Sequence, residues 1–408
     1  MLIATSLTSL TLFRQTRTTQ SQTDQLRQRA VAAEATNSSL QQQGAKGSTP
    51  DSGNAIVAQP TSASTSTSAS TGGGAAPAGN AIVTPPAANA GATPTPRSVS
   101  VAPAAAAPTT IAVPAPTVTS GDSPVIQQIE TDVVNLRGLQ PKNTVPIQFL
   151  DQNALNGLYV DRFNQDYLPN ERESDQKLLT TLGVVGPNDN VAQILLGVLQ
   201  EQILGLYNQD DKTMYLLANN GQFGPDEKDT FAEEYDHALQ DQYYDLGTLA
   251  PQHPDNDDRS LAVQALIQGD ATLMQRLWAQ QNLTQDELKQ LGQGGSTSKL
   301  FSAPLFLREQ LLFPYSDGFD FVKQIYQDSG YAGVDDVFRD PPQSTAQILH
   351  IDKYRNHVAP VLVDLPDLSQ ELGGGWREIS SNVFGELDLR LLLTQMTDSA
   401  TGVRGASG

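Results

Sequence analysis

The residues most able to do chemistry lie in one segment, residues 230–246, which reads TFAEEYDHALQDQYYDL. Glu233 and His237 are four positions apart, and Glu234 follows Glu233 directly. On a helix, positions i and i+4 share one face, with about 5–6 Å between their Cβ atoms. A carboxylate and an imidazole at this spacing can hold a divalent cation, and the adjacent Glu234 can polarise a metal-bound water.

The same segment also permits a purely structural interpretation. Apolar and amide side chains recur at helical spacing and can form a stripe that packs into a core. The members of this stripe are Phe231, Tyr235, Ala238 and Gln242, with Leu239 and Tyr243 alongside. His237 would then be a hydrogen-bonded remnant of a site.

Several ordered blocks resemble one family. The run HALQDQYYDL (residues 237–246) resembles the zinc helix of a group of bacterial envelope proteins whose motif reads HExxHALQDQ. Other blocks resemble the same family: EQILGLYNQDDKTMYLL (201–217), ALIQGDATL (265–273), FPYSDGFDFV (313–322), PPQSTAQILHIDKY (341–354) and VDLPDL (363–368). The likeness covers residues 124–397. The chain is thus identified as a divergent member of a bacterial envelope HExxH zinc-metallopeptidase-like family.

The resemblance implies a gluzincin-like site, with two ligands from the HExxH helix and a glutamate from a later helix. Carried over by position, Glu233 occupies the first ligand position and Glu234 the base position. His237 is the second ligand, and Gln268 occupies the third ligand position. Two ligand positions depart from the family pattern, because Glu233 replaces a histidine and Gln268 replaces a glutamate.

These departures weaken the predicted metal site. A carboxylate can bind zinc, but an amide is a poor zinc ligand beside a carboxylate. Asp270 is two residues from Gln268, about 200° around a helix, so it should not replace Gln268. We therefore expect zinc, the metal of the family, to be absent or weakly bound here.

Three functions are compatible with this site. We predict that the chain carries a degenerate metallopeptidase-like domain that serves as a non-catalytic binding or structural module. The alternative is a metal-dependent peptidase or hydrolase that works with an atypical Glu/His site. A third hypothesis is an envelope structural protein whose resemblance reports ancestry only. The altered ligand positions favour an inactive protein.

Two further residues are weak candidates for catalysis. His350 and Tyr354 lie in the ILHIDKY stretch and could stabilise an oxyanion in a zincin-like cleft. Alternatively, His350 simply packs at a helix end. His253 lies in a loop rich in proline and aspartate, where we expect it to be solvated.

Charge is distributed unevenly along the chain. Residues 1–120 contain six basic and three acidic residues, a net charge of +3, so the total of −20 leaves −23 for residues 121–408. This acidity argues against nucleic acid or anionic lipid as a partner of the C-terminal part. The predicted partner is an unidentified protein or peptide. The chain has no cysteine, which excludes disulfides and thiolate metal sites.

Composition predicts the organisation of the chain. Residues 1–13 are mildly apolar but too short to span a bilayer, and we interpret them as the end of a truncated signal anchor or, alternatively, as a disordered N-terminus. Residues 14–43 form a polar helical stalk, residues 44–121 an Ala/Pro/Ser/Thr-rich disordered linker and residues 401–408 a flexible tail. This arrangement predicts a domain, residues 122–400, tethered to the membrane on the extracellular face of the cell envelope.

Hydrophobic periodicity predicts an α+β domain that is dominated by helices and has a small β-sheet, with a zincin-like fold implied by the resemblance. A helix is expected to begin near Pro124 and to stop at Gly138. Strands are expected at 145–150 and in a hairpin over 203–217, and Thr284 with Glu287 predicts a capping box. Further helices are expected at 152–165, 173–182, 190–202, 229–245, 258–280, 303–312, 318–329, 344–350 and 384–395.

Overall fold

The structure is a computed structural model, and it describes residues 117–118, 123–201, 203–217, 223–251, 256–293, 296–361, 363, 365–366, 368–397 and 405–406. The predicted signal anchor, the stalk, nearly all of the linker and tail, and His253 lie outside these residues. The predictions about them therefore stay predictions.

Helices dominate the described residues, as the periodicity predicts. The longer ones are α1 (Pro124–Arg137), α2 (Gln152–Asp166), α3 (Pro169–Thr181), α4 (Val191–Glu201), α5 (Pro225–Tyr244), α7 (Asp257–Asn282), α10 (Leu305–Arg339) and α14 (Glu386–Met396). The short ones are α6 (Leu246–Leu249), α8 (Gln285–Gln290), α9 (Ser298–Ser302), α11 (Thr345–Leu349), α12 (Ile351–Arg355) and α13 (Ser369–Leu372).

Local signals set several of these helix ends. Pro124 occupies the first turn of α1, and Gly138 ends it with a φ of 83°, a left-handed conformation that glycine adopts without strain. The side chain of Asp151 accepts a hydrogen bond from the backbone nitrogen of Ala154 at the start of α2. Thr284 and Glu287 form both hydrogen bonds of the predicted capping box before α8.

A small sheet of four strands lies beside the helices, in the order β1-β2-β4-β3. The strands are β1 (Thr117–Val118), β2 (Ile147–Leu150), β3 (Gly205–Asn208) and β4 (Thr213–Leu217). The pair β3–β4 is the predicted antiparallel hairpin, and β2 runs parallel to β4 with Ile147 opposite Met214. The pairing of β1 with β2 was not predicted, because Thr117 and Val118 belong to a segment of linker composition.

Helices α7 and α10 cross with their backbones in direct contact. A Cβ atom on Gly269 would lie 2.3 Å from the carbonyl oxygen of Gly318, and one on Gly318 would lie 2.3 Å from that of Ala265. Both positions therefore require glycine. These two glycines belong to the ALIQGDATL and FPYSDGFDFV blocks of the sequence.

Helix α10 differs from its sequence prediction. We expected separate helices at 303–312 and 318–329, but one helix runs through Pro314, and its break lies at Gly330, with φ 62° and ψ −162°. Proline normally interrupts a helix because it lacks an N–H and crowds the preceding turn. Here Pro314 is buried, and the packing of α10 against α7 outweighs that local cost.

Two hydrophobic clusters make up most of the core. The larger joins α3, α4, α7, α10 and α14, and the other packs α1, the sheet and α5 against the C-terminal half of α7. Helices α5 and α7 thus lie at the centre of the domain. Within the described residues, no helix combines the length and the apolar character needed to cross a membrane.

A buried acid near the start of α14 predicts how stability depends on pH. Asp388 is 8% exposed and accepts a hydrogen bond from Gln310 Nε2 at 2.9 Å. Burial, followed by the charge of Asp258, raises the pKa of Asp388 to about 7 from its ordinary 3.8. The native state therefore holds this proton more tightly than the unfolded state does, and ionisation of Asp388 destabilises the fold as the pH rises from 4 to 7.

We expect Asp388→Asn to raise the free energy of unfolding at pH 8 by on the order of 2 kcal/mol, because the amide keeps an oxygen for Gln310 and carries no charge. The gain should vanish below about pH 4, where the wild-type carboxyl is protonated in both states. Urea unfolding at pH 4 and pH 8 measures the difference. An Asp388→Asn protein less stable than wild type at pH 8 would contradict the burial argument.

Candidate functional site

Helix α5 carries Glu233, Glu234 and His237, and it is buried on all sides. Every residue from Asp229 to Asp241 is buried, although this stretch contains five acidic side chains. The predicted apolar stripe lies in the core through Phe231, Tyr235, Ala238 and Leu239, whereas Tyr243 is exposed. Buried polar groups need hydrogen-bond partners, so the other faces of α5 must meet complementary side chains.

The three positions that the resemblance assigns to metal ligands converge between α5 and α7. The Oε1 atom of Glu233 accepts a hydrogen bond of 2.6 Å from Gln268 Nε2. The Gln268 side chain also hydrogen-bonds to His237. The other oxygen of Glu233, Oε2, accepts a hydrogen bond of 2.9 Å from Gln275 Nε2. Amide groups therefore hydrogen-bond to both carboxylate oxygens of Glu233. We call Glu233, His237, Gln268 and Gln275 the Glu233 cluster.

Gln275 was not predicted as a site residue. It lies seven positions after Gln268, so both amides project from the same face of α7 towards α5. That spacing was visible in the sequence and could have identified Gln275 once Gln268 had been singled out.

His237 lies in an environment that keeps its ring neutral. Its Nδ1 atom is 2.9 Å from the Oε1 atom of Gln240, which belongs to the HALQDQ run. Burial lowers the pKa of His237 to about 4, although the hydrogen bonds to Gln240 and Gln268 partly offset this effect. The imidazole is therefore uncharged at neutral pH.

Glu234, at the predicted base position, is hydrogen-bonded to the sheet. Its Oε2 atom accepts a hydrogen bond of 2.7 Å from the backbone nitrogen of Tyr207 on β3, the outer strand of the sheet. Unpaired N–H groups on an edge strand need such partners. Tyr159 lies nearby, and burial followed by the charge of Glu234 raises the pKa of its phenol. Glu234 therefore has a structural partner that the sequence did not indicate.

A charged network lies next to the Glu233 cluster. Arg137 at the end of α1 donates to Asp270 on α7 at 3.0 Å and to Asp335 on α10 at 2.7 Å. It also lies 3.9 Å from Asp236 on α5. Gln240 donates to both Asp236 and Asp270, which connects this network to His237. We call Arg137, Asp236, Asp270 and Asp335 the Arg137 network.

Asp270 has the orientation that its helical position predicts. It binds Arg137 and Gln240, while Gln268 faces Glu233 and His237. The carboxylate therefore serves the Arg137 network and does not take the third ligand position.

His350 and Tyr354 have partners elsewhere among the described residues. The Nε2 atom of His350 lies 2.6 Å from Glu386 Oε1 at the start of α14, and Tyr354 donates to the backbone oxygen of Asp340 at 2.8 Å. The contact with Glu386 fits the alternative that His350 packs at a helix end. The oxyanion role of these two residues stays a prediction.

Comparison with known proteins adds little to these observations. No family model matches the chain, and no curated protein matches it. A solved structure from Chloroflexus aurantiacus, described as "a putative hydrolase with a novel fold", is similar to this chain with a TM-score of 0.38 and 16% identity. The match covers 58% of this chain and 89% of that one. Membership of the metallopeptidase-like family therefore stays a prediction from the sequence blocks.

Proposed function

We propose that this chain carries a degenerate metallopeptidase-like domain in which a hydrogen-bonded cluster takes the place of a metal site, so that the domain acts as a non-catalytic binding or structural module. One observation carries the proposal. Gln268 donates its amide N–H to Glu233 at 2.6 Å, at the position where the resemblance calls for a metal-binding carboxylate. The Gln268 N–H group thus hydrogen-bonds to a carboxylate oxygen that a metal ion would otherwise bind.

The donor set at this site does not fit zinc. Catalytic zinc sites use three protein ligands from histidine and carboxylate side chains and keep a fourth position for water. Here the three positions supply one neutral imidazole, one carboxylate with amide donors on both oxygens, and one amide. In the described part of the chain, no group of three histidine, aspartate or glutamate side chains could hold a metal ion. We therefore derive no metal-dependent step.

The burial of the cluster agrees with a structural role. Glu233 and Glu234 are fully buried, and His237 and Gln268 are less than one-tenth exposed. A water attacking a peptide would need access to Glu234, whose carboxylate is held by the backbone of β3. The cluster stabilises the contact between α5 and α7, because Glu233 and His237 on α5 hydrogen-bond to the amides of Gln268 and Gln275 on α7.

We propose further that the domain is tethered to the membrane through the N-terminal segment. A tether through the N-terminal segment would present the domain on the extracellular face of the cell envelope, where an unidentified protein or peptide would be its partner. The net charge of −23 on residues 121–408 supports a well-hydrated domain.

The alternative, a metal-dependent hydrolase with a Glu/His site, has one observation in its favour. The contact of His237 Nδ1 with Gln240 is the kind of hydrogen bond that orients histidines bound to metals. A relic of a metal site would keep the same contact.

Metal analysis of the full chain tests the proposal. After incubation with zinc and gel filtration, we expect far less than one zinc ion per chain, and no digestion of an unfolded protein substrate. Stoichiometric zinc that is lost on His237→Ala, together with digestion that a chelator stops, would establish the hydrolase alternative instead. Partner capture with the full chain would then separate a binding module from a structural protein.

A further inference from the structure

A small cavity lies where the start of α7 meets the segments that follow α10 and α12. Its volume is about 310 Å³, and cavities of roughly 300–1,000 Å³ are typical of sites for small organic ligands. Pro341, Ala359, Pro360 and Tyr354 give it apolar walls. The cavity is separate from the candidate metal site, because no member of the Glu233 cluster lines it.

Arg259, in the first helical turn of α7, brings a permanent positive charge to this cavity. Its Nε atom donates a hydrogen bond of 3.0 Å to Oε1 of Gln343, which is a neutral acceptor. Among the residues that the structure describes, no carboxylate forms an ion pair with Arg259.

Most other arginines of the described residues have an acidic partner. Ion pairs with aspartate or glutamate are formed by Arg137, Arg162, Arg308, Arg339, Arg355, Arg377 and Arg390. Residues 121–408 carry a net charge of −23, so acidic partners are plentiful. A guanidinium that lines a cavity and pairs only with an amide is therefore a candidate for binding an anion.

Hydrogen bonds fix the orientation of this guanidinium. The Nε2 atom of Gln343 donates to the backbone oxygen of Pro341 at 2.7 Å, and its backbone nitrogen donates to Gln347 Oε1 at 2.7 Å. Gln347 is 4% exposed and donates through Nε2 to the backbone oxygen of Val358 at 3.0 Å. Because Gln343 engages Nε of Arg259, the two Nη groups are the donors that can meet both oxygens of a carboxylate.

Asp340 is the acidic residue that lines the cavity, and its carboxylate is directed at an imidazole. Its Oδ2 atom lies 3.6 Å from Nδ1 of His357, and its side chain is 66% exposed. His357 has a φ of 50°, a left-handed conformation in which glycine is usual after a helix. Water screens an exposed carboxylate, so Asp340 offsets the charge of Arg259 only in part.

We infer that this cavity binds a carboxylate with a small apolar body, with the carboxylate group at Arg259 and the apolar body against Pro341, Tyr354 and Pro360. An amine would place a second positive charge beside Arg259, and a neutral ligand would form no charge-assisted hydrogen bond there. A free organic acid and the C-terminus of a peptide share this chemistry. The inference is independent of the proposed function, which concerns the Glu233 cluster.

Ligand-observed NMR titrations of the full chain at pH 7.5 test this inference. Benzoate and benzamide share a ring and a size and differ in charge. We expect benzoate to bind at least about tenfold more tightly than benzamide, since a hydrogen bond between charged groups is worth about that factor. Equal binding of the two compounds would overturn the assignment.

A second pair of probes identifies the source of the carboxylate. N-acetyl-prolyl-alanine should bind more tightly than its C-terminal amide, for the same reason as benzoate. If this peptide acid binds more tightly than benzoate, the site recognises a peptide C-terminus; if it binds more weakly, the site recognises a free acid. Binding of neither acid at millimolar concentration would overturn the assignment.

Variants then locate the carboxylate. Arg259→Met should weaken benzoate binding about tenfold and leave benzamide binding unchanged, and Arg259→Lys should restore only part, because an ammonium group lacks two parallel N–H donors. Gln343→Glu should abolish benzoate binding, because its carboxylate would pair with Arg259. Circular dichroism shows whether each variant folds.

The matched control is Arg377→Met. Arg377 pairs with Glu173 at 3.6 Å and does not line the cavity, so this variant should bind benzoate like wild type. Benzoate binding that is unchanged in both Arg259→Met and Gln343→Glu would overturn the assignment, as would an equal loss in Arg377→Met.

Discussion

A chain carrying both Glu233→His and Gln268→Glu is expected to bind one zinc ion, in contrast to the wild type. The two changes supply a second imidazole and a carboxylate at positions that the structure already brings together with His237. Two histidines and one glutamate form a complete set of catalytic zinc ligands. Gln240 already holds Nδ1 of His237, as the partners of metal-bound histidines do.

The expected gain in zinc affinity is roughly a thousandfold, or about 4 kcal/mol of binding free energy. Competition with a chromogenic chelator measures it, and circular dichroism shows whether the variant folds. Each single variant should gain much less, because Glu233→His alone leaves an amide at the third position and Gln268→Glu alone supplies only one imidazole.

A matched control uses the other amide of the Glu233 cluster. In Glu233→His with Gln275→Glu, the new carboxylate lies two turns further along α7, where the wild-type amide donates to Glu233 Oε2 and to the backbone oxygen of Asp229. This variant should bind zinc weakly. If the Glu233→His, Gln268→Glu protein folds and binds no more zinc than this control, the assignment of ligand positions from the family resemblance is wrong.

Replacement of Arg137 by methionine is expected to lower the free energy of unfolding by about 3–5 kcal/mol at pH 7, the usual cost of leaving buried charges without their partner. Arg137 is 1% exposed and contacts Asp236, Asp270 and Asp335 on three different helices. Methionine fills much of the space, so loss of the positive charge is the main change. Urea unfolding followed by circular dichroism measures the effect.

The control for this prediction is Arg339→Met on α10, where an exposed arginine pairs with the exposed Asp336. An exposed ion pair contributes less than about 1 kcal/mol. The loss in Arg137→Met should shrink as the pH falls, because Asp236 and Asp270 can then take up protons in the native state. Burial already raises the pKa of both groups, and removal of Arg137 raises it further. A loss for Arg137→Met no larger than that for Arg339→Met would contradict the structural importance of the network.

Much of the secondary structure could be predicted because its signals are local. Gly138 ends α1, Thr284 and Glu287 form the capping box of α8, and residues 203–217 contain the hairpin, as their residue types predict. Each feature depends on residues only a few positions apart, so composition and spacing are sufficient to identify it.

The errors occur where distant packing outweighs local preference. The sequence predicted separate helices at 303–312 and 318–329, but α10 continues through Pro314 because Gly318 and Gly269 let the helix lie directly against α7. Thr117 and Val118 have the composition of a linker, but β2 provides a strand with which they pair. Neither contact partner is a neighbour in sequence, so neither outcome could be predicted from the local pattern.

The candidate site also combines features that helical spacing predicts with features that depend on tertiary packing. The sequence by itself determined that Glu233, Glu234 and His237 share one helix, that a neutral amide occupies position 268, and that Asp270 points elsewhere, because helical spacing decides these relations. Only the tertiary structure decided that Gln268 and Gln275 donate to Glu233 and that Glu234 accepts a hydrogen bond from the backbone of β3. The same is true of the contacts of Arg137 with Asp270 and Asp335, which lie 133 and 198 positions later in the sequence. The physical reason is that the partner of a buried charge depends on which helices pack together, and that packing reflects the whole core.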